Sequence, residues 1–131
     1  MTRPAVAIDT WAFFEVALEK PRGAEVGGLM DEVERAFTTR DVVVETFTGL
    51  LHRTRSGAVA WAWMEDLRRS RVKVFEPPLE EVRTWAAAKE RGNLSLVDLS
   101  LAYVASRERT KSILTEDAEF RRLGLDPLFA R

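Results

Sequence analysis

AVAIDTWAFFEVALEK, residues 5 to 20, decides how the rest of the chain is read. Its first four residues are short, apolar and partly β-branched, which predicts a fully buried strand. Residues 11 to 19 then read as a helix that ends before KPRG, where Lys20 suits a helix C-terminus and Pro21 and Gly23 break the pattern. A strand feeding straight into a helix opens a βα unit, and the acid between them, Asp9, stands at the strand's carboxyl end. In open α/β sheets ligands bind beyond those ends, so acids far apart in sequence can share one crevice.

The same grammar continues. A second helix is predicted from Glu25 to about Glu34, with Val26, Leu29, Met30 and Val33 at helical spacing, followed by a short strand at Arg35 to Thr38. Thr39 is a plausible N-cap for DVVVETFTGLLHR, in which Val43, Phe47, Leu50 and Leu51 are read as one apolar face. AVAWAWMEDLRRS is another amphipathic helix, and RVKVFEPP is a third strand with Val72 and Val74 alternating before two prolines. Leu79 to Arg91 reads as a helix stopped by Gly92 and Asn93. Ser95 then caps a helix running to about Arg107, with Asp98 at the N3 position of a capping box. SILT is a fourth strand, EDAEFRRL a short helix and DPLFAR a last edge strand. Strands alternating with helices predict an α/β fold with a mostly parallel sheet covered on both faces.

With 131 residues the chain suits one domain. Its 20 Lys+Arg against 21 Asp+Glu neither advertise nor exclude a nucleic-acid partner, so charge distribution has to decide. The lack of cysteine excludes disulfides, thiolate zinc sites and a cysteine nucleophile, and fits a reducing, cytoplasmic setting. The opening residues carry an early Arg3, but Asp9 and Glu15 interrupt them, unlike a signal peptide. No apolar stretch approaches the ~20 residues that span a bilayer.

Four acids lie in or beside apolar segments, where a carboxylate is costly unless compensated. Asp9 ends VAIDT, Glu45 sits within VVVETF, Asp98 within LVDLSLA, and Asp117 follows the strand in ILTEDAEF. If strand ends and helix starts gather on one side of the sheet, the four converge, and their repulsion calls for protons or cations. Oxygen-only ligands point to magnesium or manganese rather than zinc. A cation held by acids suits phosphodiester hydrolysis. The opposing reading makes Asp9 a turn residue, Asp98 a cap and Asp117 a helix-start acid.

Taken in order, VAIDT, the Glu of VVVETF, the Asp of LSLVDLSLAYVA and TEDAEF resemble the acidic quartet of PIN-domain nucleases, in particular the small VapC-type toxins of toxin–antitoxin pairs. The resemblance covers essentially the whole chain. It implies a three-layer α/β/α sandwich around a parallel sheet and a Mg2+- or Mn2+-dependent endoribonuclease acting on structured RNA. It also implies frequent homodimers and inhibition by an antitoxin partner. Carried over, Asp9 and Asp98 anchor the metal, Glu45 and Asp117 complete the site, Thr115 hydrogen-bonds within the cluster, and Glu119 is an auxiliary acid. Trp11 departs from the small residue more usual there and would narrow the mouth.

Among the basic residues, Lys89 and Arg91 precede the Asp98 helix and are read as the phosphate contacts. Arg53, Arg55, Arg68, Arg69, Arg71, Arg121 and Arg122 are read as solvated helix ends. His52, the only histidine, and the aromatics Trp61, Trp63 and Trp85 are read as packing, surface or interface residues. A haloacid-dehalogenase-like enzyme would want a second Asp where Trp11 stands. A receiver domain would want paired acids near the first strand and a late Lys. The remaining alternatives are an RNA-processing nuclease outside a toxin pair, or a binding and assembly module that keeps the fold without the chemistry.

Overall fold

The computed structural model describes residues 4–131; Met1 to Arg3, including the Arg3 weighed above for a leader, lie outside it. The chain runs β1 (Ala5–Ile8), α1 (Thr10–Ala17), α2 (Gly23–Glu32), β2 (Arg35–Thr39), α3 (Arg40–Thr54), α4 (Gly57–Arg69), β3 (Lys73–Phe75), α5 (Leu79–Ala87), α6 (Leu96–Arg107), β4 (Ser112–Leu114), a 3-10 helix (Ala118–Leu123) and β5 (Asp126–Pro127). The strands form one sheet in the order β3-β2-β1-β4-β5, and every pairing is parallel. With helices on the sheet's two faces this is the three-layer α/β/α sandwich.

Burial follows position in the sheet. All four residues of β1 are buried, as are the last four of β2, because a central strand covered on both faces reads as an unbroken apolar run. At the edges, β3 leaves Val74 44% exposed, and β5 is a two-residue strand containing Pro127, a residue tolerated where no ladder donor is needed.

Short polar contacts fix the corners. The Thr38 hydroxyl donates to the Ile8 carbonyl at 2.8 Å, tying β2 to β1 beside the carboxyl ends of both strands. Thr39 caps α3 by accepting from Val42 N, and Ser95 and Asp98 form the predicted reciprocal capping box. Arg71 donates to the carbonyls of Met30, Asp31, Val33 and Glu34, satisfying the end of α2 from the turn before β3.

Several boundaries differ from the sequence reading. Asp9 caps α1, so the helix begins at Thr10, and it ends at Ala17 in a turn where Glu19 takes a left-handed φ of 49°. The helix α5 stops at Ala87, short of Arg91. The buried stripe of α3 is Val42, Thr46 and Leu50 rather than Val43, Phe47, Leu50 and Leu51, an i, i+4, i+8 row in which Thr46 is tolerated because its hydroxyl bonds the Val42 carbonyl at 2.7 Å. The segment after β4 forms a 3-10 rather than an α-helix.

Truncating Phe37, 1% exposed and edge-on to Phe75, is expected to cost about 3–5 kcal/mol, whereas Val74→Ala should stay within about 0.5 kcal/mol. Urea unfolding of the two variants checks the contrast, and similar losses would contradict the assigned sheet order.

Candidate active site

The sheet order reverses at β1: the chain goes to β2 on one side and later returns to β4 on the other. A parallel sheet opens a crevice at such a point, beyond the strands' carboxyl ends. Asp9 leaves the end of β1, and Thr115 and Asp117 follow β4. Glu45 is one turn into α3, and Asp98 is in the first turn of α6.

Asp9 is 7% exposed and held at both oxygens. One accepts from Thr10 N at 2.8 Å and the other from the Thr115 hydroxyl at 2.7 Å. Thr115 Oγ1 in turn accepts from Asp117 N at 3.2 Å, and Asp117 Oδ1 accepts from Glu119 N at 2.9 Å as the cap of the 3-10 helix. Across the crevice, the Thr10 hydroxyl donates to Glu45 at 2.6 Å. Thr10 and Thr115 thereby connect β1, α3 and the segment after β4.

Electrostatics show that these acids feel one another. Burial pushes the Asp9 carboxyl up to about 7; the Thr115 hydrogen bond opposes the rise, and the charges of Asp98 and Glu45 add to it. Asp98 is also raised, first by burial and then by Asp117 and Glu45, against its two bonds with Ser95. Its capping role and its membership of the acidic group coexist, since one carboxylate can serve both.

The crevice has a volume of about 540 Å3. Asp9, Glu45 and Asp98 line it, together with two acids missed in the sequence, Glu15 and Glu116. Glu15 lies one helical turn beyond Trp11, itself a lining residue, and that i, i+4 spacing was the available signal. Asp117 is not a lining residue; its charge reaches the group through Asp98. Among the described residues no three acids stand at the spacing that grips one metal ion directly.

Other predicted positions fall elsewhere. Glu119 points to Arg122, which also pairs with Glu90, at the outer side of the 3-10 helix. Lys89 sits over the Trp85 ring at 5.2 Å and Arg91 donates to the Ala86 carbonyl, so neither reaches the crevice. The cations that line it are Lys20, Arg22 and Arg53. Arg53 is therefore not merely a solvated helix end; it lies two turns after Glu45 in an i, i+4, i+8 row through Gly49. His52 is exposed and outside the crevice. Trp11 lines the crevice, packed 5.2 Å from Phe129. Trp63 and Trp85 are half-buried against Phe13 and Tyr103, while Trp61 is 56% exposed.

The comparisons agree with this architecture. A PIN-domain profile matches residues 6–125, and the chain belongs to the PIN-domain family, a family of nucleases. The fold is similar to that of VapC20 of Mycobacterium tuberculosis, a toxin that cleaves the sarcin–ricin loop, with a TM-score of 0.76 and 21% identity over 94% of this chain and 98% of that one. It is also similar to PAE2754 of Pyrobaculum aerophilum, with a TM-score of 0.65 and 25% identity over 97% of this chain and 87% of that one. No curated protein matches the chain.

The raised Asp9 carboxyl has a direct consequence for stability. Between the unfolded value of 3.8 and the folded value of about 7, the native state holds a proton that the unfolded chain has released. Stability contributed by this group is thus full below pH 4 and falls as pH rises towards 7, by about 4 kcal/mol at most. Urea unfolding in EDTA should show Asp9→Asn gaining on the parent protein across that window. A constant difference between the two would contradict the assignment.

Proposed function

We propose that the chain is a metal-dependent endoribonuclease and the toxin of a type II toxin–antitoxin pair. The observation that carries this reading is the convergence of Asp9, Glu45 and Asp98 in one crevice, close enough for Asp98 and Glu45 to raise the pKa of buried Asp9. The full-length likeness in fold to a toxin that cleaves the sarcin–ricin loop supports the biological role.

A hard divalent cation fits this donor set. The candidate ligands are all carboxylate oxygens, with Asp9 buried, Asp98 half-buried and their charges mutually repelling, a combination that favours magnesium or manganese. With no three acids at direct ligating distance, water would fill the remaining positions, which suits magnesium because it keeps several waters. Asp9 and Asp98 would anchor the ion, with Glu45 and Asp117 completing the site. When bound, the cation supplies Lewis-acid stabilisation of the phosphate oxygens and a more acidic water.

The chain's own residues do the arranging. Thr115 is a positioning residue: its hydroxyl fixes one Asp9 oxygen, while Thr10 N holds the other. Thr10 Oγ1 orients Glu45 by donating to Oε1. Asp98 cannot swing its carboxylate out of the first turn of α6 without losing the hydrogen bond that Oδ2 accepts from Ser95 N. Asp117, tied to Thr115 by its backbone N–H and felt at Asp98 through its charge, would act from behind the lining residues and help to orient the attacking water.

An antitoxin would have an apolar surface to cover. Phe13, Val16, Met30, Val59 and Trp63 line a groove of about 480 Å3 between α1, α2 and α4, and Trp61 is also exposed on α4. In this reading the protein works in the cytoplasm as a homodimer. Among the described residues no helix is long and apolar enough to cross a membrane.

Purified protein should cleave a cellular RNA pool with magnesium or manganese and stop in EDTA, and Asp9→Asn and Asp98→Asn should reduce cleavage to background. Thr115→Val, which removes the donor to Asp9, should weaken cation affinity or activity about 10–100-fold. Cleavage that persists in EDTA, or unaltered in both acid variants, would refute the reading.

A further inference from the structure

The acids occupy only part of the crevice wall. Lys20, Arg22 and Arg53 line the same space, beside Phe14. Arg22 is committed: it donates to the Phe129 carbonyl, lies over the Phe129 ring at 4.5 Å and pairs with Glu25 at 3.5 Å. Lys20 and Arg53 are different. Among the described residues neither side chain makes a hydrogen bond or an ion pair, although several carboxylates line the same crevice.

Both are nevertheless anchored, Arg53 by its side chain and Lys20 by its backbone. The Arg53 guanidinium lies over the Phe14 ring, 4.1 Å from its centroid, and stacking on an aromatic face leaves its edge donors free. Gly49, one turn before Arg53, permits this: a Cβ there would stand 2.3 Å from Phe14 Cζ. The ring thus presses directly on the α3 backbone, beneath Arg53. Lys20 is fixed by the turn that ends α1, where Lys20 N donates to the Glu15 carbonyl at 2.9 Å and Gly23 N to the Lys20 carbonyl at 2.8 Å. Gly23 closes this turn because a side chain would meet the Glu15 carbonyl oxygen.

Two unpaired cations that share a crevice of about 540 Å3 with the acids offer contacts to a polyanion. The net charge of −1 supplies no general attraction for one. We propose that Arg53 and Lys20 bind backbone phosphates of the RNA flanking the phosphodiester that is cut, with the acids facing the reacting phosphate. This rests on the nuclease reading and adds to it the residues that grip the strand. Arg53 suits bidentate phosphate recognition, and Lys20 acts as a point charge. Such contacts fix the register of the strand and carry no base preference.

The test uses a fluorescent, unstructured 12-nucleotide RNA and full-length protein carrying Asp98→Asn to suppress cleavage, titrated in magnesium at several salt concentrations. Adding Arg53→Ala should raise Kd about 10-fold at low salt and reduce the slope of log affinity against log salt by about 0.7, with Lys20→Ala acting similarly. Arg53→Lys should keep much of the slope, since the charge remains. In the cleaving protein Arg53→Ala should raise KM and leave kcat nearly constant. Lys89→Ala removes the same charge outside the crevice and should change neither quantity. Parental Kd and salt slope in both Arg53→Ala and Lys20→Ala would overturn the proposal, as would an equal loss in Lys89→Ala. Arg53-dependent binding without any cleavage would remove the nuclease reading and keep the phosphate contacts. Cleavage with parental KM in Arg53→Ala would do the reverse.

Discussion

Asp9 has one carboxylate oxygen against the first amide of α1 and the other against the Thr115 hydroxyl. That clamp joins the carboxyl ends of β1 and β4, the neighbouring strands on either side of the point where the sheet changes direction. It also sets a charge in a nearly dry position, 7% exposed, where desolvation and the nearby carboxylates oppose ionisation. The rest of the site follows from meeting that cost. Thr10 steadies Glu45, Ser95 N steadies the Asp98 carboxylate, and Thr115 Oγ1 accepts a hydrogen bond from Asp117 N. Without a compensating cation or proton, the arrangement is one the fold holds against electrostatic resistance.

Much of this was legible in the sequence because it rests on local rules. AVAI is an unbroken apolar run because β1 is covered on both faces, and Ser95 with Asp98 is a capping box whose chemistry is written in four residues. The acids converge because all strands are parallel, so βα junctions share one edge. What was not legible depends on where long side chains end. Lys89 and Arg91 are near Asp98 in sequence, yet α5 stops at Ala87 and both side chains are taken up by Trp85 and the Ala86 carbonyl. Arg53 is recruited instead by a Phe14 ring from another helix, a tertiary contact with no linear signature. The buried row of α3 was displaced by one residue because Thr46 bonds its own helix and can be buried.

The crevice consequently carries both signs of charge. Carboxylates suited to a hard cation line it together with Lys20 and Arg53, whose donors are uncommitted. The phosphodiester strand proposed as substrate would satisfy both kinds of group, its reacting phosphate meeting the cation and its neighbours the bases. Trp11, packed against Phe129, adds an aromatic surface to the crevice lining. A chain with nearly balanced charge thus carries a local positive field on a few residues of its crevice.

The central claim is that the clustered acids are a cation site. The most direct measurement is a manganese titration of the RNA-free protein at pH 7.5, followed by electron paramagnetic resonance of the free ion and, in parallel, by thermal unfolding. The account predicts saturable binding that raises the Tm of the parent protein and is lost in both Asp9→Asn and Asp98→Asn. No saturable binding by folded parent protein, or binding that is equal in all three, would contradict it.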